Sequence, residues 1–217
     1  MAQSKNSDTI PNQKFLSIVS SIDVELTVQR SRFIASLRQV DNRPEFDAAL
    51  KGIISRYPKA THYCWGYRFF ESPVIEHSSD AGEPAGTAGR PILGALKKHS
   101  LQNIMAVVTR YYGGIKLGVK GLIAAYGNST LLAIEKSTII TDEPKSLLRF
   151  KCSYDLYNIF TSRLERCLDD CSSLKAEFTE IVSGTVLIPD SILPFLGAEL
   201  DSLFPDAKSF IYDILQS

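Results

Sequence analysis

The sequence contains no long hydrophobic run and no excess of charge of either sign. None of its apolar stretches approaches the ~18 residues that a membrane-spanning helix requires. Its 24 Lys and Arg residues balance 24 Asp and Glu residues, and hydrophobic residues make up 44% of the 217 positions. A disordered chain would be less apolar and less evenly charged. The first 14 residues are polar and lack the apolar core of a signal peptide, so we expect a cytoplasmic protein without membrane contacts.

Cysteine and histidine are too few and too scattered for the common disulfide and metal frameworks. The four cysteines include no CxxC pair, and they do not resemble the framework of a small secreted protein. Cys167 and Cys171 share a face of a predicted helix, but two thiolates supply only half of a tetrahedral zinc site. His62 and Cys64 share a face of a predicted strand, with His77 in the following loop, and further ligands are missing. We expect reduced, structural cysteines, no metal and no cofactor.

The common phosphate-binding motifs are absent as well. Gly113 and Gly118 have the spacing of a Walker motif, but Val119 and Lys120 follow where that motif has Lys and Ser or Thr. No GxGxxG segment occurs in the chain. These observations exclude a nucleotide-hydrolysing P-loop and leave a looser anion site open.

Alternating and helical spacings of apolar residues predict an α+β protein with two domains. A flexible tail is expected over residues 1–14, followed by an N-terminal domain over residues 15–142. Asn42 is predicted to cap the first helix, because Pro44 follows two positions later. Residues 72–89 are rich in Ser, Asp, Gly, Glu, Pro and Thr and poor in apolar residues, which predicts one long loop.

A second domain is predicted after residues 142–145, where Pro and charged residues interrupt both strand and helix periodicities. Residues 146–217 then predict a strand, a helix, a strand, a turn at Ser183 and Gly184, a strand, a helix and a last strand from Ser209. This β-α-β-β-α-β order is the ferredoxin-like arrangement.

The balanced total charge conceals a difference between the two predicted domains. Residues 1–145 hold 18 Lys and Arg against 13 Asp and Glu, whereas residues 146–217 hold 6 against 11. The basic part permits nucleic-acid binding, and the acidic part would repel phosphate. We therefore expect RNA to contact the N-terminal domain. The C-terminal domain is expected to contact a protein partner or to set the geometry of the complex.

Nine of the 13 glycines lie between Gly82 and Gly127, and six of these nine lie in two glycine-rich loops. The loops, over residues 80–90 and 110–118, each run into a predicted helix start, where free N–H groups and the helix dipole favour phosphate or carboxylate. Nearby cations add formal charge, and tyrosine rings can stack on bases. The predicted binding residues are Thr87, Gly89, Arg90, Arg110, Tyr111, Tyr112, Gly113, Gly114, Lys116, Gly118 and Lys120. The alternative is that the glycines only allow helix and sheet to pack closely.

A catalytic role would fall to Asp80, Glu83 and Thr87. The two carboxylates could act as acid and base beside the threonine hydroxyl, although such loop residues more often cap backbone groups. With three histidines in the chain and no Ser-His-Asp arrangement, no catalytic dyad is identified. The residues alone do not indicate an enzyme, and a non-enzymatic protein is the expectation.

Two long segments resemble the signature of the IMPACT/YigZ family. The matching segments are SDAGEPAGTAGRPIL (79–93) and VVTRYYGGIKLG (107–118), with SRFI (31–34) and ATHYC (60–64) upstream. The resemblance covers residues 15–140 most strongly, and the two-domain layout matches the bacterial YigZ branch. The chain departs from the family pattern in two places. In the segment 120–126, Ala124 replaces a basic residue while Lys120 adds one, and in the first loop Ala81 replaces a common second Asp.

The resemblance implies an N-terminal domain with the βα fold shared by a ribosomal protein and domain IV of elongation factor G. It also implies a C-terminal domain similar to domain V of that factor. Eukaryotic relatives regulate translation by competing for the activator of an initiation-factor kinase, and nucleic-acid binding is the usual proposal for bacterial members. We therefore expect binding of RNA, the ribosome or a translation factor. Two alternatives stay open: an enzyme holding a small phosphorylated or carboxylated molecule between the two loops, and a module that binds only proteins.

Overall fold

The computed structural model describes residues 14–168, 170–205 and 210–215. Phe15–Asp142 forms a first unit, and the described residues from Glu143 onward form a second unit. Both units combine β-sheets with α-helices, which confirms the predicted α+β class. Most of the predicted tail, residues 1–13, lies outside the described residues. No helix within the described ranges is long and apolar enough to span a bilayer.

The first unit is built on a five-stranded antiparallel sheet, together with a two-stranded sheet. Its strands are β1 (Phe15–Ile18), β2 (Ile22–Val28), β3 (Ser31–Gln39), β4 (His62–Phe69), β5 (Ile75–Ser79), β6 (Ile104–Tyr111) and β7 (Ile139–Asp142). The large sheet has the order β2-β3-β6-β4-β5, and β1 pairs with β7. Strands β3, β6 and β4 are therefore central, and successive side chains along them point to opposite faces of the sheet.

Helices cover both faces of this sheet. The three helices are α1 (Arg43–Arg56), α2 (Gly89–Lys98) and α3 (Gly118–Glu135). Residues of α2 and α3 share a buried cluster with Phe33 and Val108 on one face. Residues of α1 share another with Tyr67 and Val107 on the opposite face. The two faces thus hold two separate apolar clusters.

The predicted start of α1 is confirmed. The Asn42 side chain accepts a hydrogen bond from the backbone N–H of Glu45 at 3.0 Å, and proline occupies the first turn. The Glu45 carboxylate in turn accepts the backbone N–H of Asp41 at 3.0 Å. These reciprocal bonds satisfy N–H groups that the helix itself leaves unpaired.

The prediction of one continuous loop over residues 72–89 is wrong in its first half, because β5 lies there. Strand β5 pairs with β4, so that Ile75 is opposite Phe69 and Ser79 is opposite Trp65. It occupies the edge of the sheet and is only partly buried. Because β5 buries no side chain completely, its residues can be polar, and they therefore gave no apolar strand pattern in the sequence.

The second unit has the element order β-α-β-β-α-β. Its elements are β8 (Lys145–Cys152), α4 (Tyr154–Cys167), β9 (Lys175–Phe178), β10 (Val182–Pro189), α5 (Leu193–Leu203) and β11 (Phe210–Leu215). The four strands form an antiparallel sheet in the order β11-β8-β10-β9. Residues from both helices, including Phe160 and Leu196, share one buried cluster with Phe150 and Val186 of the central strands.

The turn predicted at Ser183 and Gly184 is wrong, because both residues lie within β10. A side chain on Gly184 would collide with the Lys175 carbonyl of β9 and with the ring of Phe150. Glycine is needed here for close approach of two chain segments rather than for a turn. The first residue of the last predicted strand, Ser209, lies outside the described residues.

Candidate functional site

The first glycine-rich loop is closed by the side chain of Asp80. One carboxylate oxygen accepts the backbone N–H groups of Ala88 (2.9 Å) and Gly89 (2.8 Å), and the other accepts that of Gly86 (2.8 Å). Burial acts to raise the pKa of Asp80, but the three backbone donors outweigh it and lower that pKa. The start of α2 therefore already holds an internal carboxylate where an external anion would bind.

The three residues of this loop that are predicted to bind a ligand have different surroundings. The Thr87 side chain is buried, and its hydroxyl donates to the Pro84 carbonyl at 2.7 Å. A side chain on Gly89 would lie 2.8 Å from the backbone of Ser79, so glycine is required there by packing. Arg90 remains exposed, and its charge helps to lower the pKa of Asp80.

Glu83 connects the two glycine-rich loops inside the first unit. Its Oε1 accepts a hydrogen bond from Arg110 Nη1 at 2.5 Å and another from the Tyr126 hydroxyl at 2.8 Å. Both members of the ion pair are almost fully buried. His62 Nε2 lies 3.9 Å from the same oxygen, with the imidazole partly exposed. The Glu83 carboxylate therefore holds β6 and α3 together.

Arg110 is placed differently from the phosphate contact that the sequence predicts. It follows Ala106 and Val108 on the same face of β6, the face that α2 and α3 cover. Its guanidinium carbon lies 5.4 Å from the ring centre of Phe33 and 5.3 Å from that of Tyr112. Two rings and a carboxylate thus surround Arg110 within the interior of the first unit.

Cys64 lies beside this ion pair and has a structural environment. It is buried, and its thiol donates to the Asp80 carbonyl at 2.9 Å. Burial is the main cause that raises the pKa of Cys64 to about 12, and burial likewise raises the pKa of Tyr126. His62 Nδ1 contacts the Ala81 carbonyl at 3.0 Å. Within the described residues, no group of three His, Cys, Asp or Glu side chains could hold a metal ion.

The second glycine-rich loop is open. Gly114 and Gly118 have φ angles of +85° and +69°, and no atom lies within 4 Å of a side chain placed there. Both glycines therefore serve the left-handed backbone conformation and not packing. Gly113 differs, because a side chain there would collide with the Arg30 backbone, and its N–H donates to Ser31 Oγ at 3.1 Å. Gly113 thus fixes one end of a loop that is otherwise exposed.

The start of α3 has no internal cap. The helix begins after Leu117, whose side chain makes no capping hydrogen bond, and its first turn contains no acidic residue. Lys116 and Lys120 flank this end and are both exposed. The unpaired N–H groups, the helix dipole and the two lysines all contribute positive electrostatic potential at this end of the helix. This end of α3 is therefore the position in the second loop best suited to an anion.

The two predicted stacking residues have different surroundings. The Tyr111 hydroxyl donates to the Pro58 carbonyl at 3.0 Å, and Arg32 lies 5.4 Å from the Tyr111 ring centre. Tyr112 is 46% exposed, and it contacts Arg110 through its ring. Tyr112 is therefore the better candidate for stacking on a base.

An exposed apolar strip at the start of α3 was not predicted from the sequence. Ile115, Val119 and Ile123 are 39%, 58% and 42% exposed. Val119 and Ile123 are four residues apart and lie on one side of α3, and Ile115 lies in the exposed loop that precedes the helix. The spacing was visible in the sequence, but the same pattern is typical of a buried helix face. We call Tyr112, Ile115, Lys116, Val119, Lys120 and Ile123 the α3 surface.

A family model and several known proteins match this chain, and the range of the family model includes both glycine-rich loops. The family model of the Impact N-terminal domain matches residues 29–134. IMPACT family member YigZ of Escherichia coli (strain K12) is 30% identical over 190 residues, covering 87% of this chain and 92% of that protein. IMPACT family member YvyE of Bacillus subtilis (strain 168) is 47% identical over 105 residues. This match spans 48% of each protein, about half the length of that relative.

A solved structure is similar over nearly the whole chain. It is a crystal structure of a hypothetical protein, and it is 27% identical in sequence with a TM-score of 0.64. The match covers 95% of this chain and 98% of that chain. The similarity therefore includes both the first and the second unit.

Proposed function

This chain belongs to the IMPACT family, and we propose that it is a cytoplasmic, non-enzymatic protein that binds RNA of the translation machinery. The observation that carries the proposal is the uncapped start of α3 beside the exposed Lys116 and Lys120. The link to translation comes from the resemblance of the signature segments to a family whose eukaryotic members regulate translation. Translation takes place in the cytoplasm, which gives the proposed location.

Phosphate is the part of RNA that this end of α3 would recognise. Free backbone N–H groups donate to phosphate oxygens, and the two lysines supply positive charge without fixing a sequence. Arg110, Thr87 and Gly89 are left out of the proposed contact surface, because they are buried. The first loop is left out as well, apart from Arg90, because Asp80 already occupies the start of α2.

Bases would contact the neighbouring residues of the α3 surface. Tyr112 offers an exposed ring at the beginning of the loop, and base stacking on an aromatic ring tolerates any sequence. Ile115 and Val119 add exposed apolar area beside the lysines. Single-stranded RNA, whose bases are accessible, is therefore the ligand that we expect this surface to bind.

The folds of the two units fit this proposal. The second unit has the β-α-β-β-α-β order of ferredoxin-like domains, and we propose that fold for it. For the first unit we propose the fold of domain IV of elongation factor G, as the family resemblance implies. The acidic second unit would then contact a protein of the ribosome or position the first unit, since its charge repels phosphate.

A second candidate function is binding to a protein of the translation machinery through the same surface. The exposed strip of Ile115, Val119 and Ile123 favours it, because clustered apolar side chains on a surface are typical of protein interfaces. Apolar contacts respond weakly to salt, whereas phosphate contacts respond strongly. Salt dependence of binding therefore separates the two candidates.

An enzyme that uses Asp80, Glu83 and Thr87 is not favoured. Asp80 is bonded to three backbone N–H groups, Glu83 to Arg110 and Tyr126, and Thr87 to a backbone carbonyl. General acid–base catalysis requires a group that reaches the substrate and exchanges a proton with it. These contacts instead hold the three side chains in the loop and the interior.

Fluorescence anisotropy with labelled single-stranded and double-stranded RNA tests the proposal. We expect single-stranded RNA to bind more tightly, and the double variant Lys116→Ala/Lys120→Ala to lose about tenfold in affinity. The matched control is Lys51→Ala/Lys98→Ala, which removes the same charge from exposed positions on α1 and α2. Absence of RNA binding at low salt, or equal losses in the two double variants, would overturn the proposal.

A further inference from the structure

Strand β9 forms an exposed edge of the sheet in the second unit. It pairs with β10 on one side and is last in the order β11-β8-β10-β9. Lys175, Glu177 and Phe178 on this strand are all exposed. An edge strand offers backbone N–H and C=O groups to another strand. Natural edges usually carry features that prevent or direct such pairing, so the side chains of β9 indicate which strand it accepts.

The charges on β9 are arranged to complement a second copy of β9. Lys175 and Glu177 are opposite Thr185 and Ser183 of β10, so both side chains point to the same face of the sheet. If two β9 strands pair antiparallel about a twofold axis at Ala176, each Lys175 lies opposite a Glu177. The twofold symmetry produces this pair of opposite charges twice.

Other registers of the same pairing are disfavoured by the same two residues. Shifting one strand by two residues places Lys175 opposite Lys175, or Glu177 opposite Glu177. Like charges directly opposite each other across an antiparallel pair are destabilising. The two charged residues of β9 therefore select one register for self-pairing.

The other face of β9 carries an exposed aromatic side chain. Phe178 is 56% exposed, and its ring centre lies 5.3 Å from that of Tyr157 and 6.1 Å from that of Tyr154. In the twofold register, Phe178 of one copy is opposite Leu174 of the other. Pairing would therefore cover exposed apolar area on one face while joining opposite charges on the other.

We propose that two copies of this chain associate through β9, antiparallel about Ala176, to form one continuous eight-stranded sheet from two second units. The pairing adds about four main-chain hydrogen bonds and two exposed ion pairs. An interface of this size falls in the class of weak or transient association. The dimer therefore forms at high protein concentration and weakens as salt screens the ion pairs.

Light scattering after size-exclusion chromatography tests the proposal with the full chain. At about 100 µM, where a dissociation constant of about 10 µM gives mostly dimer, we expect the mass to approach twice 24.0 kDa. Glu177→Lys or Lys175→Glu alone places like charges opposite each other, and we expect each single variant to shift toward 24.0 kDa. The exchanged variant Lys175→Glu/Glu177→Lys restores opposite charges, and we expect the dimer to return.

Glu165→Lys is the matched control, because it makes the same charge change at an exposed position of α4. We expect the control to dimerise as the wild type does. A wild-type mass of 24.0 kDa at every concentration overturns the proposal. A dimer that survives both single reversals, or that the exchanged variant fails to restore, also overturns it, because association would then use another surface.

Discussion

Glu83 Oε1 lies 2.5 Å from Arg110 Nη1, and the two residues come from the two different glycine-rich loops of the chain. The pair is almost completely buried, and Tyr126 of α3 donates to the same oxygen. These three polar side chains therefore hold the interior of the first unit together. What remains for a partner is the exposed α3 surface next to them.

Glu83→Gln is expected to destabilise the first unit strongly. The substitution removes the negative charge and leaves the Arg110 guanidinium buried without its counter-ion, which typically costs about 3 kcal/mol or more. The matched control is Glu25→Gln, which breaks an exposed ion pair with Arg32 and is expected to cost less than about 1 kcal/mol. Urea unfolding measures both. If Glu83→Gln and Glu25→Gln lowered the free energy of unfolding equally, a structural role for the buried ion pair would be contradicted.

Asp80 is expected to make stability depend on pH in the acid range. Burial opposes its ionisation, but hydrogen bonds from Gly86, Ala88 and Gly89 lower its pKa below the value of 3.8 taken for the unfolded chain. Its contribution is therefore complete above about pH 3.8 and is lost as the pH falls through the lower folded value. We expect Asp80→Asn to be less stable than the wild type at pH 6. The difference between their free energies of unfolding, measured by chemical unfolding, should become smaller as the pH falls to 3. A difference that stays the same from pH 6 to pH 3 would contradict a stabilising role for the ionised Asp80 carboxylate.

Two glycines in the first unit should respond to alanine in opposite directions. Gly113→Ala places a methyl group against the Arg30 backbone, and we expect a loss of about 2 kcal/mol or more. Gly94→Ala lies in the interior of α2 with open space around it, and we expect a gain of about 0.5–1 kcal/mol. Thermal unfolding of the two variants measures the difference. A neutral Gly113→Ala would contradict the close approach to Arg30.

The four cysteines should differ in reactivity toward an alkylating reagent. Cys64 is buried, and burial raises its pKa to about 12, so thiolate is scarce and the reagent is excluded. Cys167 and Cys171 are partly exposed, and we expect them to react first. Labelling of the native protein at pH 8, read by mass spectrometry, gives the order. Labelling of Cys64 as fast as Cys167 would contradict the buried environment.

Local sequence signals predicted local structure well in this chain. Asn42 followed by Pro44 identified the start of α1, because capping depends on residues within one turn. The missing strand β5 shows the limit of such signals. Its backbone pairs with β4 at the sheet edge, and no apolar alternation is needed there. Gly184 shows the same limit, since glycine is required there by the Lys175 carbonyl and the Phe150 ring, 9 and 34 positions earlier in the chain.

The sequence and the family resemblance identified both glycine-rich loops, but not the contacts that the side chains of these loops make. Arg110 points inward because it pairs with Glu83, which lies 27 positions earlier in the chain. A pattern of neighbouring residues cannot reveal a pair so far apart in sequence. A signal did exist, because Arg110 continues the alternate series of buried residues Ala106 and Val108 on β6. A charged residue in such a series indicates a buried partner.

The proposed RNA surface is tested most directly by the salt dependence of RNA binding. For the wild type we expect the logarithm of the binding constant to fall linearly with the logarithm of salt concentration. Removing the two phosphate contacts in Lys116→Ala/Lys120→Ala should make that slope shallower by about 1.5, while Lys51→Ala/Lys98→Ala leaves it unchanged. Identical slopes for the wild type and the Lys116→Ala/Lys120→Ala variant, or binding that does not change with salt, would contradict recognition of phosphate at the start of α3.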